Sequence, residues 1–322
     1  MDKKYFSLHR LLRVLGRQVS NLFNRFFLQY IERIISPDTS SPLLHPPIFI
    51  IGAPRSGSTL LMQILTEAFD VGYISNLHCL FYGAPSLIEK WFHPTTNRPQ
   101  SDYHSKHGLT KGWASPAECG AWWYRFFRRK PAYVALADVD GVKMRCFRGS
   151  LAALISAFGK PLLFKNLYAA LRLAPLLANV PEALFIVIKR DVVDNAHSLL
   201  EVRKRVFGFY EQWWSMEPPG YEDFKKLPPA RQVVEQITRI YELIEKDRCA
   251  RANQPERFFY IQYEDLCHDV HGELARLESF FRSHNVHLQR RYEVPRTFVC
   301  RNDVGIPADL SREVKEYFES LA

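Results

Sequence analysis

Two groups of side chains in this sequence have the types and spacing to do chemistry. The first is the octapeptide Gly52-Ala53-Pro54-Arg55-Ser56-Gly57-Ser58-Thr59. It separates the apolar run Ile48-Phe49-Ile50-Ile51 from a stretch in which Leu60, Leu61, Ile64, Leu65 and Ala68 recur at helical spacing. A buried strand, a tight Gly/Pro loop and a helix opening near Ser58 leave several backbone N–H groups unpaired at the positive end of a helix dipole. Phosphate is the natural guest of such a cradle. The loop comes close to the nucleotide triphosphatase pattern, in which the second glycine is followed by lysine and then serine or threonine, but Ser58 stands where the lysine belongs. Its cation is Arg55 instead, whose planar fork grips oxyanions at two points where lysine acts as a point charge. The second group is dispersed. Lys165 follows Leu162-Leu163-Phe164, and Lys189-Arg190 follow the run Ala183 to Ile188.

The elements that must position these residues read as strand, helix, strand, helix. After the loop helix comes a short strand at Val71-Gly72-Tyr73-Ile74, then a strand at 162–164, a helix from Leu167 to Ala178, a strand at 183–188 and a helix from Val192 to Val206. This alternation predicts an α/β fold with a parallel central sheet and helices on both faces. Ligands of such sheets bind at the carboxyl ends of the strands, where Arg55, Lys165 and Arg190 all fall. A triphosphatase would end a hydrophobic strand on a magnesium-holding aspartate. Lys189 and Arg190 stand there instead, which suits a doubly anionic nucleotide held by cations, with no metal.

Composition agrees with an anionic ligand. The chain has 322 residues, 47% of them hydrophobic and 24% charged, and a net charge of +9. That balance favours an anionic ligand, an acidic substrate or an anionic membrane surface. Neither a Lys/Arg run nor zinc-finger spacing is found, so nucleic acid is not an expected partner. Six cysteines without a Cys-x-x-Cys pair read as reduced thiols in the cytosol. Residues 1–36 keep a helical apolar stripe through Leu8, Leu15, Val19, Phe26 and Tyr30, with seven basic residues against Asp2 and Glu32. No run of 18 uncharged apolar residues occurs, so neither a spanning helix nor a cleavable signal is expected. A basic amphipathic helix lies on an anionic membrane, here its inner face, or docks on its own domain or on a second subunit of a homodimer. A linker at 37–46 then leads into one domain, 47–322. Residues 83–117 read as a long irregular excursion of the lid or substrate-binding kind. Ser115 to Glu118 read as a capping box opening a helix that carries Trp122, Trp123, Tyr124, Phe126 and Phe127.

Pro54-Arg55-Ser56-Gly57-Ser58-Thr59 resembles the 5′-phosphosulfate loop of the PAPS-dependent sulfotransferases, whose donor is 3′-phosphoadenosine-5′-phosphosulfate (PAPS). Arg190, followed eight residues later by Ser198, resembles their 3′-phosphate motif. Lys165 resembles the strand-end lysine of the tyrosylprotein and carbohydrate branches, and Phe259 to Leu266 is similar to their late strand and Tyr-Glu-Asp-Leu turn. The resemblance runs from about residue 47 to 285 and implies a P-loop-like fold. It implies that Arg55, Ser56, Gly57, Ser58 and Thr59 hold the 5′ end of the donor, that Arg190 and Ser198 hold the 3′-phosphate, and that no metal takes part. Lys165 and Arg55 would balance negative charge growing on the leaving oxygen. The acceptor it implies is a hydroxyl of a carbohydrate or glycolipid, in a cytoplasmic, bacterial enzyme. Relatives often carry the general base as a glutamate just after the first helix, where this chain has Ser75 and Asn76. His78 is the first candidate in its place and Glu118 the second, with histidines 93, 104 and 107 in the excursion behind them. Trp213 and Trp214 are candidates for an acceptor wall, and the segment 294–301 for one that closes over the nucleotide. Two alternatives stay open: an atypical P-loop kinase, and an inactive nucleotide-binding module that recruits a partner.

Overall fold

In the computed structural model, residues 16–36, 42–96, 99–104, 110–250, 255–302 and 305–321 are described. The apolar run after the linker forms β1 (Ile48–Gly52), buried at every position because it is the middle strand of five. Around it lie β2 (Gly72–Tyr73), β3 (Leu162–Lys165), β4 (Leu184–Lys189) and β5 (Phe258–Gln262), in the order β2-β3-β1-β4-β5, all parallel. Successive β1 side chains point to opposite faces. Ile48 and Ile50 enter a core with Leu61, Leu65, Leu274 and Leu277, under the helices Ser58–Ala68 and Val270–Ser283. Phe49 and Ile51 enter the other core, with the helices Gly141–Phe158, Val192–Phe207 and Pro229–Cys249. Helices cover both faces, as the alternation of elements predicts.

That second core holds the aromatic block. Phe49 stacks on Phe164 and Phe185 with ring centroids 5.2 and 5.6 Å apart, and Trp122 stacks on Phe164 at 5.5 Å. Trp122 and Trp123 are wholly buried, so these rings are core. Their helix is one turn, Gly120–Trp123, and opens after Cys119, which has left-handed backbone (φ 46°). The capping box expected at Ser115–Glu118 does not form. Ser115 donates its hydroxyl to Lys111 O, and Ala117 N–H reaches Ile74 O at 2.9 Å, tying this segment to the sheet edge. The excursion at 83–117 is also more regular than expected, since Pro85–Phe92 is a helix with proline in its first turn. Between Leu167 and Asn179 a tight 3₁₀ stretch (Leu167–Arg172) precedes an α-helix, in place of one continuous helix.

The described N-terminal helix spans 16–35, with a π-helical stretch at Phe23–Leu28. Its wide turns keep Asn24, Leu28 and Glu32, each four residues apart, on one side, where α-helical turns would drift by about 40° per step. That side is docked on the domain. Asn24 donates to Leu80 O (3.0 Å) and accepts from Gly83 N–H (2.7 Å), and a Cβ at Gly83 would lie 2.7 Å from Leu28 Cβ. Glu32 is wholly buried, paired with Arg125 at 2.7 Å and accepting from Ser150 (2.9 Å) and Ser86 (3.1 Å). The helix therefore shares polar core with the domain. Among the described residues no helix is long and apolar enough to cross a membrane. Replacing Glu32 by alanine strips Arg125 of its buried partner and should cost about 3–5 kcal/mol. Thermal unfolding should show this as a Tm lower by roughly 5–10 °C; an unchanged Tm would mean that the helix is not held by this pair.

Candidate active site

β1 ends at Gly52, where the chain passes so close to β4 that a Cβ would sit 2.5 Å from the Ile188 carbonyl. The loop turns through Arg55, which has left-handed backbone (φ 68°), a conformation costing an L-residue roughly 1–2 kcal/mol. Neighbours hold it there. Asn195, with its amide nitrogen toward the loop, donates to Pro54 O and Arg55 O at 3.0 Å each, and Arg190 Nη1 donates to Arg55 O at 3.2 Å. Gly57, with φ 94°, precedes the helix Ser58–Ala68, and a side chain there would strike the Tyr263 ring. Ser58 and Thr59 sit in the first helical turn, whose N–H groups have no acceptor within the helix.

The strand ends bring the cations to this loop. Arg190, just beyond β4, lies 4.8 Å over the Tyr263 ring and donates through Nη2 to Arg301 O (2.5 Å) and Asn302 Oδ1 (3.1 Å). Its Nε is buried without a hydrogen-bond partner among the described residues. Ser198 stands two turns into the helix Val192–Phe207, which Asp191 caps by accepting from Asp194 N–H, and receives Arg55 Nε at 3.1 Å. Lys165, at the end of β3, donates to Thr59 Oγ1 (2.9 Å) and pairs with Glu118 Oε1 (2.5 Å). Burial and then the charge of Arg190 hold the Arg55 guanidinium below its ordinary pKa. Neither Arg55 nor Arg190 has a carboxylate within 4 Å among the described residues. An anion between them would relieve their repulsion.

These groups line a cleft of about 800 Å³ at the carboxyl edge of the sheet. Arg55, Gly57, Ser58, Thr59, Lys165, Arg190, Ser198 and Glu118 all reach it. Ser56 does not. Its side chain is wholly buried facing Gly52, and its N–H closes the loop onto Ala53 O at 3.3 Å, so the expected contact with the donor is corrected to a structural one. His104, on the described edge of the excursion, also lines the cleft, while His107 lies outside the described residues. Trp214 and the segment Phe298–Arg301 form further wall, with Tyr103 edge-on to Phe298 at 4.9 Å. Burial pushes the Tyr168 phenol, also in the wall, up to about 12, so it stays protonated at neutral pH. The sequence reading missed Asn195, and it placed Tyr263 in the late turn without giving it a role at the site. Asn195 has a readable signal, since it lies three residues before Ser198 on one helix face.

His78 does not line the cleft, which corrects its role as first candidate for the base. It is the third residue of the helix Asn76–Leu80, wholly buried, and its Nδ1 accepts Ser75 N–H at 3.0 Å in a capping box. The proton is thereby placed on Nε2, which lies 3.2 Å from Glu89 Oε2 in an electrostatic contact. A side chain locked in a cap and a buried pair cannot reach an acceptor. His78→Ala should therefore act on stability, lowering it by about 1–3 kcal/mol through a lost cap and an orphaned Glu89. A fall in turnover at unchanged Tm would return His78 to the chemistry. Glu118, by contrast, stands in the cleft beside Lys165, about a third exposed.

Comparison with known proteins agrees with this geometry. The model of the sulfotransferase family matches residues 46–283. The curated omega-hydroxy-beta-dihydromenaquinone-9 sulfotransferases Stf3 of Mycobacterium bovis and Mycobacterium tuberculosis are each 25% identical over 252 residues, which is 72% of this chain and 61% of theirs. The chain thus spans about six tenths of the length of these relatives. Sulfotransferase STF9 from Mycobacterium avium superposes with a TM-score of 0.55 at 16% identity, over 96% of this chain and 84% of that one. STF1 from Mycobacterium tuberculosis gives 0.52 at 16% identity, over 95% and 87%. These structures share the fold, and with the family match across most of its length, the chain belongs to the sulfotransferase family.

Proposed function

We propose that the protein transfers a sulfonate group from PAPS to a hydroxyl of a lipid-borne acceptor, a lipid alcohol or a glycolipid. One observation carries the donor half of this reading: the half-buried Arg55 and the buried Arg190, neither with a carboxylate partner among the described residues, meet beside one helix N-terminus and line one cleft with Ser198. The loop amides, Ser58, Thr59 and Arg55 suit the 5′-phosphosulfate end, and Arg190 with Ser198 suits a 3′-phosphate. Asn195 positions the Arg55 loop and Tyr263 supports Arg190. When bound, the donor supplies the sulfonate and a phosphate leaving group. Lys165 stabilises the charge that develops on the leaving oxygen, and Thr59 orients it. Glu118 takes the acceptor proton as the new sulfur–oxygen bond forms.

Two features support an acceptor with an apolar body. The cleft wall is aromatic and aliphatic at Trp214, Tyr103, Phe298 and Val299. The name of the Stf3 relatives also specifies a hydroxylated menaquinone, a lipid alcohol. Assaying release of bisphosphoadenosine with a polyprenyl alcohol, a glycolipid and a soluble sugar tests this, and turnover with the sugar alone would overturn the lipid assignment.

Calorimetry tests the donor site. Bisphosphoadenosine should bind roughly ten- to a hundredfold more tightly than AMP, the worth of about 1.5–3 kcal/mol for a charge-assisted contact. Arg190→Ala should cut bisphosphoadenosine affinity far more than AMP affinity, narrowing that difference. Equal affinities in the wild-type protein would exclude a 3′-phosphate site.

The chemical roles separate in turnover. Glu118→Gln should lower kcat by roughly 10²–10⁴ with bisphosphoadenosine affinity retained, the range expected for a general base. Lys165→Met should reduce kcat far more than bisphosphoadenosine affinity, because its charge is matched to the transition state. A Glu118→Gln protein with wild-type kcat would take the proton-accepting role away from this residue.

A further inference from the structure

The N-terminal helix is docked the wrong way round for a surface helix. Its docked side buries Asn24 and Glu32 beside Leu28, while Val19 (65% exposed), Phe26 (69%), Tyr30 (66%) and Ile34 (65%) face outward. Amphipathic helices normally bury the apolar stripe. Phe23 and Phe27, also exposed, stack on each other at 5.2 Å and make the outward face continuous. Single exposed apolar residues are ordinary, but contiguous faces mark interaction surfaces.

Beside this face lies a cavity of about 610 Å³ between the helix and the start of Gly141–Phe158. Phe26 and Tyr30 line it together with Arg25, Arg33, Lys143 and Arg145, and no acidic side chain does so among the described residues. Glu32 is buried against Arg125, and Asp140 caps the neighbouring helix by accepting from the Val142 and Lys143 N–H groups. Exposed rings ringed by cations match the headgroup region of an anionic bilayer, where aromatic side chains sit at the interface and basic ones meet lipid phosphates. A second copy of the chain fits poorly, because a two-fold interface would set these cations against themselves. We propose that this face docks on an anionic phospholipid surface, with Phe23, Phe26, Phe27 and Tyr30 entering the headgroup–acyl boundary and Arg25, Arg33, Lys143 and Arg145 contacting lipid phosphates. The inference stands on this face alone and does not depend on the donor site.

Co-sedimentation of the full chain with vesicles tests it. The protein should pellet with phosphatidylglycerol–phosphatidylcholine vesicles, and much less with phosphatidylcholine alone or at high salt. Phe26→Ser with Tyr30→Ser should weaken binding roughly tenfold or more per residue. Lys143→Ala with Arg145→Ala should weaken it about fivefold per charge. All four positions are exposed, so Tm and bisphosphoadenosine affinity should stay at wild-type values. Those two controls separate loss of docking from loss of the fold or of the donor site. Equal pelleting with both vesicle types, no pelleting, or variants that pellet like wild type would each overturn the proposal. Dimerisation in analytical ultracentrifugation that Phe26→Ser with Tyr30→Ser abolishes would assign the face to a second copy instead.

Discussion

Two like charges held at one loop set the terms for this fold. Arg55 and Arg190 repel each other, and both are largely withdrawn from water, so the rest of the site has to hold them in place. Arg55 is held through its carbonyl by Asn195 and Arg190 and through Nε by Ser198. Arg190 is held by the Tyr263 face and by the carbonyl of Arg301. Those contacts come from the end of β4, the helix Val192–Phe207 that follows it, the turn after β5 and the segment at Arg301, which the order β2-β3-β1-β4-β5 brings together. A ligand with two separated anionic groups fits such an arrangement better than one with a single charge.

The pair formed by Lys165 and Glu118 answers a different need. With Glu118 about a third exposed, the pair is partly solvated, and a partly solvated ion pair contributes little stability. A weak pair can part without harm to the fold. Arg125 and Glu32, both buried, form the opposite case, where separation leaves an uncompensated charge in the core. The molecule thus keeps its strong ion pair in the scaffold and its weak one in the cleft.

Local motifs made much of the site readable from sequence. The Gly52–Thr59 loop, Lys165 and Arg190 sit at strand ends, and strand ends are legible wherever a short apolar run stops. What depends on tertiary partners was not legible. His78 and Glu118 looked comparable, because nothing in the order of residues says that Ser75 recruits the imidazole as a cap while Glu89 closes over it. Ser56 looked like its loop neighbours until the path of β1 turned its side chain inward. The N-terminal stripe was plain, yet its usual reading was reversed, since the π-helical turns and Gly83 let the polar side dock. Helix Gly141–Phe158 went unassigned although Asp140 caps its start and Gly159, with φ 62°, ends it. Lys143, Arg145 and Arg148 dilute its first turns and hide the apolar spacing of Met144, Phe147, Leu151 and Leu154.

The convergence of strand ends also governs how the molecule comes into being. Arg190 meets the Arg55 carbonyl across 135 residues, Arg55 meets Ser198 across 143, and Lys165 meets Thr59 across 106. Parallel pairing of distant strands has to precede every one of these contacts, and closing such long loops is slow. No short stretch of the chain can hold even half of the cleft. The site therefore exists only where these distant strands are already paired. An anion that binds there draws on the completed sheet as a whole, so it protects the whole domain from unfolding and not merely the loop it touches.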